Sequence, residues 1–361
     1  MKTLRFWVFG LLTATAVMQS FTAACQTAVP VIPVAEQVTP EIQALADGLQ
    51  DDPLRIYNYV HDHIRFVLYF GSKKGAQLTL LEKSGNDFDQ SALLVAMLRA
   101  AGYTNSQFAD KGVGYQFGWV FMDYDSPDHR DLHHWLQLTL NNSNWTNTYT
   151  YLEDLFFYAR GYPTAYYLND GNTYMFQRVW VTLTLGSTNY YLDPAFKVSE
   201  PVAGAGNLAS AMGISSNALM TAAAGTDTGT YVTNLNEANL RSTLAGYTTN
   251  LLNNLRSNVP NASVLQILGG WQITPSTATS LSTSNSFETY EWGGSMPVLN
   301  WANEPLDLMS TFQITFAGTN YAWFVPQLKG QRISLTFDTS GTAQLWQDDT
   351  LLLQHSTSGS S

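Results

Sequence analysis

The sequence predicts a mixed fold in which helices come first and strands follow, and three observations carry that reading. An apolar stripe at helical spacing runs through residues 85–101. An alternating stretch rich in β-branched and aromatic residues covers 176–192. A run of short strands begins at Phe312 and continues almost to the end of the chain. With 361 residues there is room for two modest domains and a targeting segment.

Residues 1–24 open with Lys2 and Arg5, continue through an apolar run to Met18 and end in small residues, the layout of a secretory signal peptide. The apolar run is too short for a lasting membrane span. Cys25 follows Phe21-Thr22-Ala23-Ala24, which resembles a bacterial lipobox except for Thr22, where Leu is usual. Lipidation of Cys25 and simple cleavage after Ala24 both remain open. Cys25 is the only cysteine, so the chain can form no internal disulfide, and the folded part carries no thiol for catalysis.

Residues 28–40, rich in Val and Pro, read as an extended linker. Helices are expected over 41–49 and 53–67: Asp51 or Asp52 can cap the second, Pro53 suits its first turn, and Ile56, Tyr57, Val60 and Ile64 share one face. In the helix over 85–101, Leu93, Leu94, Met97 and Leu98 make the stripe and Gly102 ends it. Residues 123–131 form a polar loop, and 133–160 hold helical pieces separated by an Asn-rich turn. The stretches 176–185 and 189–192 make a hairpin turning at Gly186-Ser187, closed by Asp193-Pro194. Residues 202–258 read as helical with a break at 225–229, and 274–286 as a Ser/Thr linker.

Charged residues make up only 12% of the chain, about half the usual share, while Asn, Ser, Thr and Tyr are plentiful. That balance suits a protein working outside the cytoplasm. The net charge of -11, with 17 basic residues in no Lys/Arg-rich run, argues against nucleic acid as a partner.

The segment Gly85-Asn-Asp87-Phe-Asp89-Gln-Ser-Ala-Leu-Leu-Val-Ala-Met-Leu-Arg99-Ala-Ala-Gly102 resembles the nucleophile helix of the transglutaminase-like superfamily. The family places a cysteine two residues after the glycine, an acidic residue two further on, and Leu-Arg-Ala-x-Gly at the end. Asp89, Arg99 and Gly102 fall in register, and the cysteine slot holds Asp87. The family then carries His-x-Trp on one strand and Asp-Pro at the end of the next. Arg178-Val-Trp180-Val followed by Tyr191-Leu-Asp193-Pro194-Ala-Phe matches, with Arg178 in the histidine slot and Asp193 retained. His133-His134-Trp135-Leu-Gln competes: it keeps a histidine, but no Asp-Pro closes the next stretch, directly after Trp145. The hairpin and its terminal Asp-Pro favour the Arg178 strand.

The resemblance implies an α+β, cysteine-protease-like domain, with a helix packed on an antiparallel sheet. A helical connector and a small all-β module follow it. The expected layout is signal peptide 1–24, linker 25–40, transglutaminase-like domain 41–200, connector 201–273, linker 274–304, β module 305–355 and tail 356–361. Segments such as Lys197-Val-Ser-Glu-Pro201, Gly269-Gly-Trp-Gln-Ile273 and Leu328-Lys-Gly-Gln-Arg-Ile333 are similar to those that follow this domain in bacterial surface proteins of the RHS (YD-repeat) type, although no YD repeats occur.

The family's acyl transfer needs a thiolate made by a neighbouring imidazole, with a carboxylate orienting that imidazole. Asp87 is a feeble nucleophile towards amides, and Arg178 cannot act as a base near neutral pH. The replacement keeps the charge pattern, and at ~4 Å with an effective dielectric of ~20 the attraction is about 4 kcal/mol before desolvation. Asp87, Arg178 and Asp193 are therefore expected to form a structural ion cluster in the old cleft. The function expected is an exported, non-catalytic binding or scaffold module, secreted, periplasmic or held at the cell surface through Cys25. Its partner would be a peptide, a protein or a neighbouring surface domain, and no cofactor is implied. The alternative is an active hydrolase, acyltransferase or peptidase using His133 or His134 with a carboxylate or a metal.

Other motifs have plainer readings. His129 and His133 have helical zinc-pair spacing but no obvious third ligand, and Asp123, Asp125 and Asp128 lack the glycine and glutamate of a calcium loop. His61 and His63 face different directions on a helix. Trp119, Trp135, Trp145 and Trp180 could line a groove, but core packing is the default. Asn141, Asn144 and Asn261 each begin an Asn-x-Ser/Thr sequon, which in a bacterial protein would usually be meaningless.

Overall fold

The computed structural model describes residues 35–104, 110–123, 132–137, 157–162, 165–167, 173–284 and 298–356. The signal segment with Cys25, the acidic loop around Asp125 and Asp128, and His129, Trp145, Asn141 and Asn144 lie outside the described residues. In chain order the first elements are α1 (Pro40–Gly48), α2 (Pro53–His63), β1 (Arg65–Phe66), α3 (Gly75–Glu82), β2 (Ser84–Gly85) and α4 (Asp87–Ala100). Next come β3 (Lys111–Asp123), α5 (Leu132–Leu136), β4 (Ala165–Tyr167), β5 (Thr173–Leu185), β6 (Thr188–Leu192) and β7 (Ser199–Val202). Short strands β8 (Thr226–Asp227), β9 (Val232–Thr233) and β10 (Gly270–Ile273) are interspersed with the helices Leu208–Met212, Ser216–Ala223, Glu237–Asn258 and Val264–Leu268. The chain closes with β11 (Leu299–Trp301), β12 (Thr311–Phe316), β13 (Thr319–Phe324), β14 (Ile333–Phe337), β15 (Thr342–Gln347) and β16 (Thr350–Ser356). No helix among the described residues is long and apolar enough to cross a membrane.

Two compact units result: Met1–Phe121, Tyr149–Phe196 and Thr277–Ser361 make the first, Met122–Thr148 and Lys197–Ser276 the second. In the first unit α4 is the centre. Every residue from Asp87 to Leu98 is buried, so this helix meets protein on all sides, as its lack of a polar face requires. Helices α1, α2 and α3 pack on it, each started by local chemistry. Thr39 and Asp52 accept from Ile42 N and Arg55 N at the first turns of α1 and α2, and a proline opens each. The sheet order is β11-β3-β5-β4. The long β5 carries β4 along Tyr174–Phe176 and β6 along Val181–Leu185, both antiparallel. The hairpin turns at Gly186, whose φ of +59° lies in the left-handed region that glycine enters at low cost. Val113, Tyr115, Val179, Val181 and Leu183 from the sheet join Ile56, Val60, Phe88, Leu94 and Met97 from the helices in one core.

Residues 299–301, inside the stretch expected to be a linker, form β11 and pair with Tyr115–Phe117 of β3. The chain then crosses α4. Arg99 Nη2 donates to Ala302 O at 2.6 Å, and the Glu304 N–H donates to Glu36 Oε1 at 2.6 Å. Tyr115 OH donates to the same Glu36 oxygen at 2.7 Å, and Arg99 Nη1 lies 3.9 Å from Glu36 Oε2. Past that crossing, Ser72 N–H donates to Leu308 O at 2.9 Å and Ser310 N–H to Ser72 O at 2.7 Å. A Cβ on Gly71 would stand 2.6 Å from Leu308 O, so the close approach needs glycine there. Strands β12–β13 and β14–β15–β16 follow as a hairpin and a meander, and belong to this same unit.

Glu304 illustrates the electrostatics of the crossing. Burial, then the charges of Asp89 and Glu36, push its carboxyl well above the usual carboxylate range; the Ser72 hydroxyl works the other way. Stability from a raised carboxyl is fully present below the unfolded value near 4.5 and is lost as pH rises through the folded one. Glu304→Gln fixes the neutral form. Its melting temperature should match the parent near pH 4 and exceed it increasingly towards pH 8, by about 2–4 °C per kcal/mol recovered. Differential scanning fluorimetry across that range would reject the reading if the two curves stayed parallel.

The second unit is built differently. β7 pairs antiparallel with β10, Ser199 opposite Ile273. Helix α5 sits by β7, where Gln137 Nε2 donates to Ser199 Oγ at 3.3 Å. The 22-residue helix Glu237–Asn258 buries only Tyr247, whose hydroxyl bonds Ser215 O at 3.3 Å and so fixes the start of the helix Ser216–Ala223.

Candidate functional site

The site is assembled from the first turn of α4, the middle of β5 and the corner after β6. Asn86 sets the helix start: its Oδ1 accepts from Asp89 N–H at 2.9 Å and its Nδ2 donates to Tyr69 O and Gly71 O at 2.6 and 2.8 Å. Asp87 is then the first helical residue and is fully buried. Its Oδ2 accepts from the Val179 N–H at 3.0 Å. That N–H lies between Phe176, where the β4 ladder ends, and Val181, where the β6 ladder begins. Asp87 Oδ1 has no hydrogen-bond partner among the described residues.

Arg178, one residue before that N–H, is 1% exposed and pairs with Asp193, 5% exposed. Nη2 donates to Oδ1 at 2.9 Å, a charge-assisted hydrogen bond, and Nη1 lies 2.7 Å from Oδ2 as an ion-pair contact. Asp193 Oδ1 also accepts from the Ala195 and Phe196 N–H groups at 3.0 and 2.9 Å, which bends the chain through Pro194. Trp180 is buried beside them. Its Nε1 donates to Gln116 Oε1 at 3.0 Å, and its ring lies against Gly118, where a Cβ would approach to 3.2 Å.

Burial is the largest influence on Asp87 and pushes its carboxyl up to about 6. The Arg178 charge and the Val179 N–H hold it down, and the Asp193 charge adds to the rise. Desolvation therefore outweighs attraction, as it does in many buried ion pairs. Chemically the first unit's described residues bring two buried carboxylates and a guanidinium together here, with no thiol among them; the carboxylates are feeble nucleophiles towards amides and the guanidinium holds its proton at neutral pH.

Beside this cluster lies a residue that the sequence used only for registration. Asp89 is also fully buried, and its carboxylate accepts from the Tyr69 hydroxyl, from Ser72 Oγ at 3.0 Å and from the N–H groups of Lys73, Lys74 and Gly75 at 3.1, 2.9 and 3.0 Å. Burial raises its carboxyl and these bonds lower it. The only sequence signal for this hub is Asn86 as a cap three residues before Asp89.

The two histidines stand elsewhere. His134 belongs to the second unit, where its Nδ1 is 3.4 Å from Glu200 Oε1 and its ring meets Trp271 edge-on at 6.0 Å. The His133 backbone falls in α5, and its side chain lies outside the described residues. Trp135 and Trp180 are core residues, both below 2% exposed. His61 bonds Asp62 at 2.7 Å and His63 stacks on Tyr59. Among the described residues, no three His, Cys, Asp or Glu side chains are grouped to hold a metal ion.

Searches of curated proteins and of solved structures find no match. The family model described as the transglutaminase-like superfamily matches residues 36–150, a range that contains Asp87, His133 and His134 and stops before Arg178 and Asp193. A helical centre with Asp87 at its N-terminus, laid against an antiparallel strand pair, agrees with that match, and the chain carries a transglutaminase-like superfamily domain over residues 36–150.

Proposed function

We propose that this transglutaminase-like domain is non-catalytic and serves an exported protein as a binding or scaffold module. One observation carries the reading: the cysteine slot holds Asp87, fully buried and bonded to the Val179 N–H, while Arg178 is paired with Asp193. Acyl transfer needs a nucleophile that a substrate carbonyl can reach and a base to activate it. Asp87 and Asp193 are feeble nucleophiles towards amides, Arg178 cannot act as a base, and the near-complete burial of all three leaves no room for a substrate carbonyl at that point. The ion cluster acts as a pillar between α4 and β5. Recognition then falls to the surface of the module, with a peptide, a protein or a neighbouring surface domain as partner. Export rests on the N-terminal segment, with Cys25 as lipid attachment or as the residue after cleavage. The similarity to RHS-type proteins suggests work at the cell surface.

A second reading has one observation in its favour, the presence of His133 and His134 inside the matched range. It makes the domain a hydrolase, acyltransferase or peptidase. The two readings separate in one assay. Purified protein is incubated with a fluorescent primary amine and a glutamine-containing protein, and in parallel with peptide substrates, each with and without a chelator. The expected result is no turnover above that of a His133→Ala/His134→Ala double variant. Turnover that the double variant loses would establish the enzymatic reading.

A further inference from the structure

The meander at the end of the chain carries binding chemistry in a different set of residues from the Asp87 cluster. Along β14 the side chains alternate, so Ser334 and Thr336 share one face with Arg332 just before them. The register places Ser334 opposite Trp346. The Trp346 Nε1 donates to Thr336 Oγ1 at 2.9 Å, two residues along the same face. That bond lays the indole along β14 and fixes its orientation before any ligand arrives. The opposite face of β15 carries Ala343 and Leu345, 5% and 3% exposed, and is the buried side.

At the end of this platform the chain closes a tight turn. Arg332 N–H donates to Asp348 Oδ1, and Asp348 N–H to Arg332 O, both at 2.7 Å. Arg332 Nη2 lies 3.8 Å from Asp349 Oδ1, and both side chains are well exposed. Arg332, Ser334, Thr336, Trp346, Asp348 and Asp349 line a concavity of about 310 Å³. That is the small end of the range of roughly 300–1,000 Å³ for ligand sites.

We propose that this concavity binds a neutral saccharide, stacked on the Trp346 ring and held through its hydroxyls by Arg332, Asp348 and Asp349. An indole face offers a broad apolar surface with a negative π cloud, complementary to the C–H groups on one side of a sugar ring. Guanidinium N–H groups donate and carboxylates accept, and hydroxyls are the ligand groups that use both. A phosphate or an acidic sugar would meet two carboxylates. A lysine or quaternary ammonium seeking the indole would meet the Arg332 charge at the same rim. The small volume suits one or two sugar rings at the end or along the edge of a longer chain.

The test uses the full-length mature protein and three defined probes: neutral cello- and chito-oligosaccharides, an acidic polysaccharide of heparin type, and a lysine-rich peptide. Binding is read by isothermal titration calorimetry. The neutral oligosaccharides should bind, with affinity falling about ten-fold in Trp346→Ala and several-fold in Asp349→Ala. Asp349→Ala changes a fully exposed side chain and keeps the test open should Trp346→Ala misfold. Asp87→Asn should leave this binding unchanged, which separates the site from the cluster. Absence of binding to every neutral oligosaccharide, binding that neither Trp346→Ala nor Asp349→Ala weakens, or binding confined to the acidic polysaccharide or the lysine-rich peptide would overturn the proposal.

Discussion

Arg178→Met is expected to destabilise the protein by about 3–5 kcal/mol at pH 7.5, the cost of removing one partner from a buried ion pair. Methionine fills much of the volume of the arginine stem, so lost packing contributes little. What is lost is the charge that faces Asp193 directly and holds the Asp87 carboxyl down. Two buried carboxylates then lose the Arg178 cation. Asp193 retains the Ala195 and Phe196 N–H groups and Asp87 retains that of Val179, and these bonds set the upper limit on the damage. Urea denaturation of parent, Arg178→Met, Asp87→Asn and the double variant forms a cycle. The double variant should regain part of the loss, because neutralising Asp87 removes one of the stranded charges. Strict additivity would show that Arg178 and Asp87 do not interact.

The pH dependence gives the same prediction a second edge. Asp87 rises from its usual 3.8 to about 6 in the folded protein. A raised carboxyl favours the folded state below the unfolded value and loses that contribution as pH climbs through the folded one. In the parent, stability attributable to Asp87 therefore falls between about pH 4 and pH 6, by roughly 3 kcal/mol at 1.36 kcal/mol per unit. In Arg178→Met the folded value rises further, so the decline extends above pH 6. The deficit of the variant should be smaller at pH 4.5 than at pH 7.5. An equal deficit at both pH values would place the damage in packing or in the Asp193 pair and not in Asp87.

Much of this site was legible because its determinants are local. The Leu and Ala stripe between Gly85 and Gly102 specifies a buried helix, and once its register is set Asp87 can stand only at the first turn. The hairpin was legible for a similar reason: alternation over 176–192 and a Gly-Ser turn fix Val181 opposite Leu192, which puts Arg178 and Asp193 within reach. Strand β3 was not legible. Its apolar face, Val113, Tyr115 and Phe117, is regular, but Gly112, Gly114 and Gly118 fall on the opposite face, and glycines weaken any strand pattern. Only the fold explains Gly118, which leaves space for the Trp180 ring. β11 is three residues long and takes its conformation from the β3 edge it joins. The Asp89 hub was hidden for another reason: three of its five partners are backbone N–H groups, which any residue type supplies.

That hub sets the second large effect. Asp89→Ala should cost about 3–5 kcal/mol, since it leaves the N–H groups of Lys73, Lys74 and Gly75 and the hydroxyls of Tyr69 and Ser72 without their acceptor, at about 1–3 kcal/mol for each group that water cannot reach. Asp89→Asn should be milder. Its remaining carbonyl can take the place of Oδ1, which accepts from Ser72 Oγ and all three N–H groups, and its amide can donate to the Tyr69 oxygen. Urea midpoints order the variants, and hydrogen exchange locates the effect. In Asp89→Ala the amides of residues 73–75 should exchange faster than the loss of global stability alone allows. An alanine variant no worse than the asparagine one would remove the hub from the account. Because Asn86 bonds the carbonyls of Tyr69 and Gly71, loosening this loop also frees the first turn of α4. The Val179 amide, held by Asp87 92 residues away in the chain, should then lose protection together with residues 73–75, whereas the amides of Leu183 and Leu185 in the β5–β6 ladder should follow only the global stability.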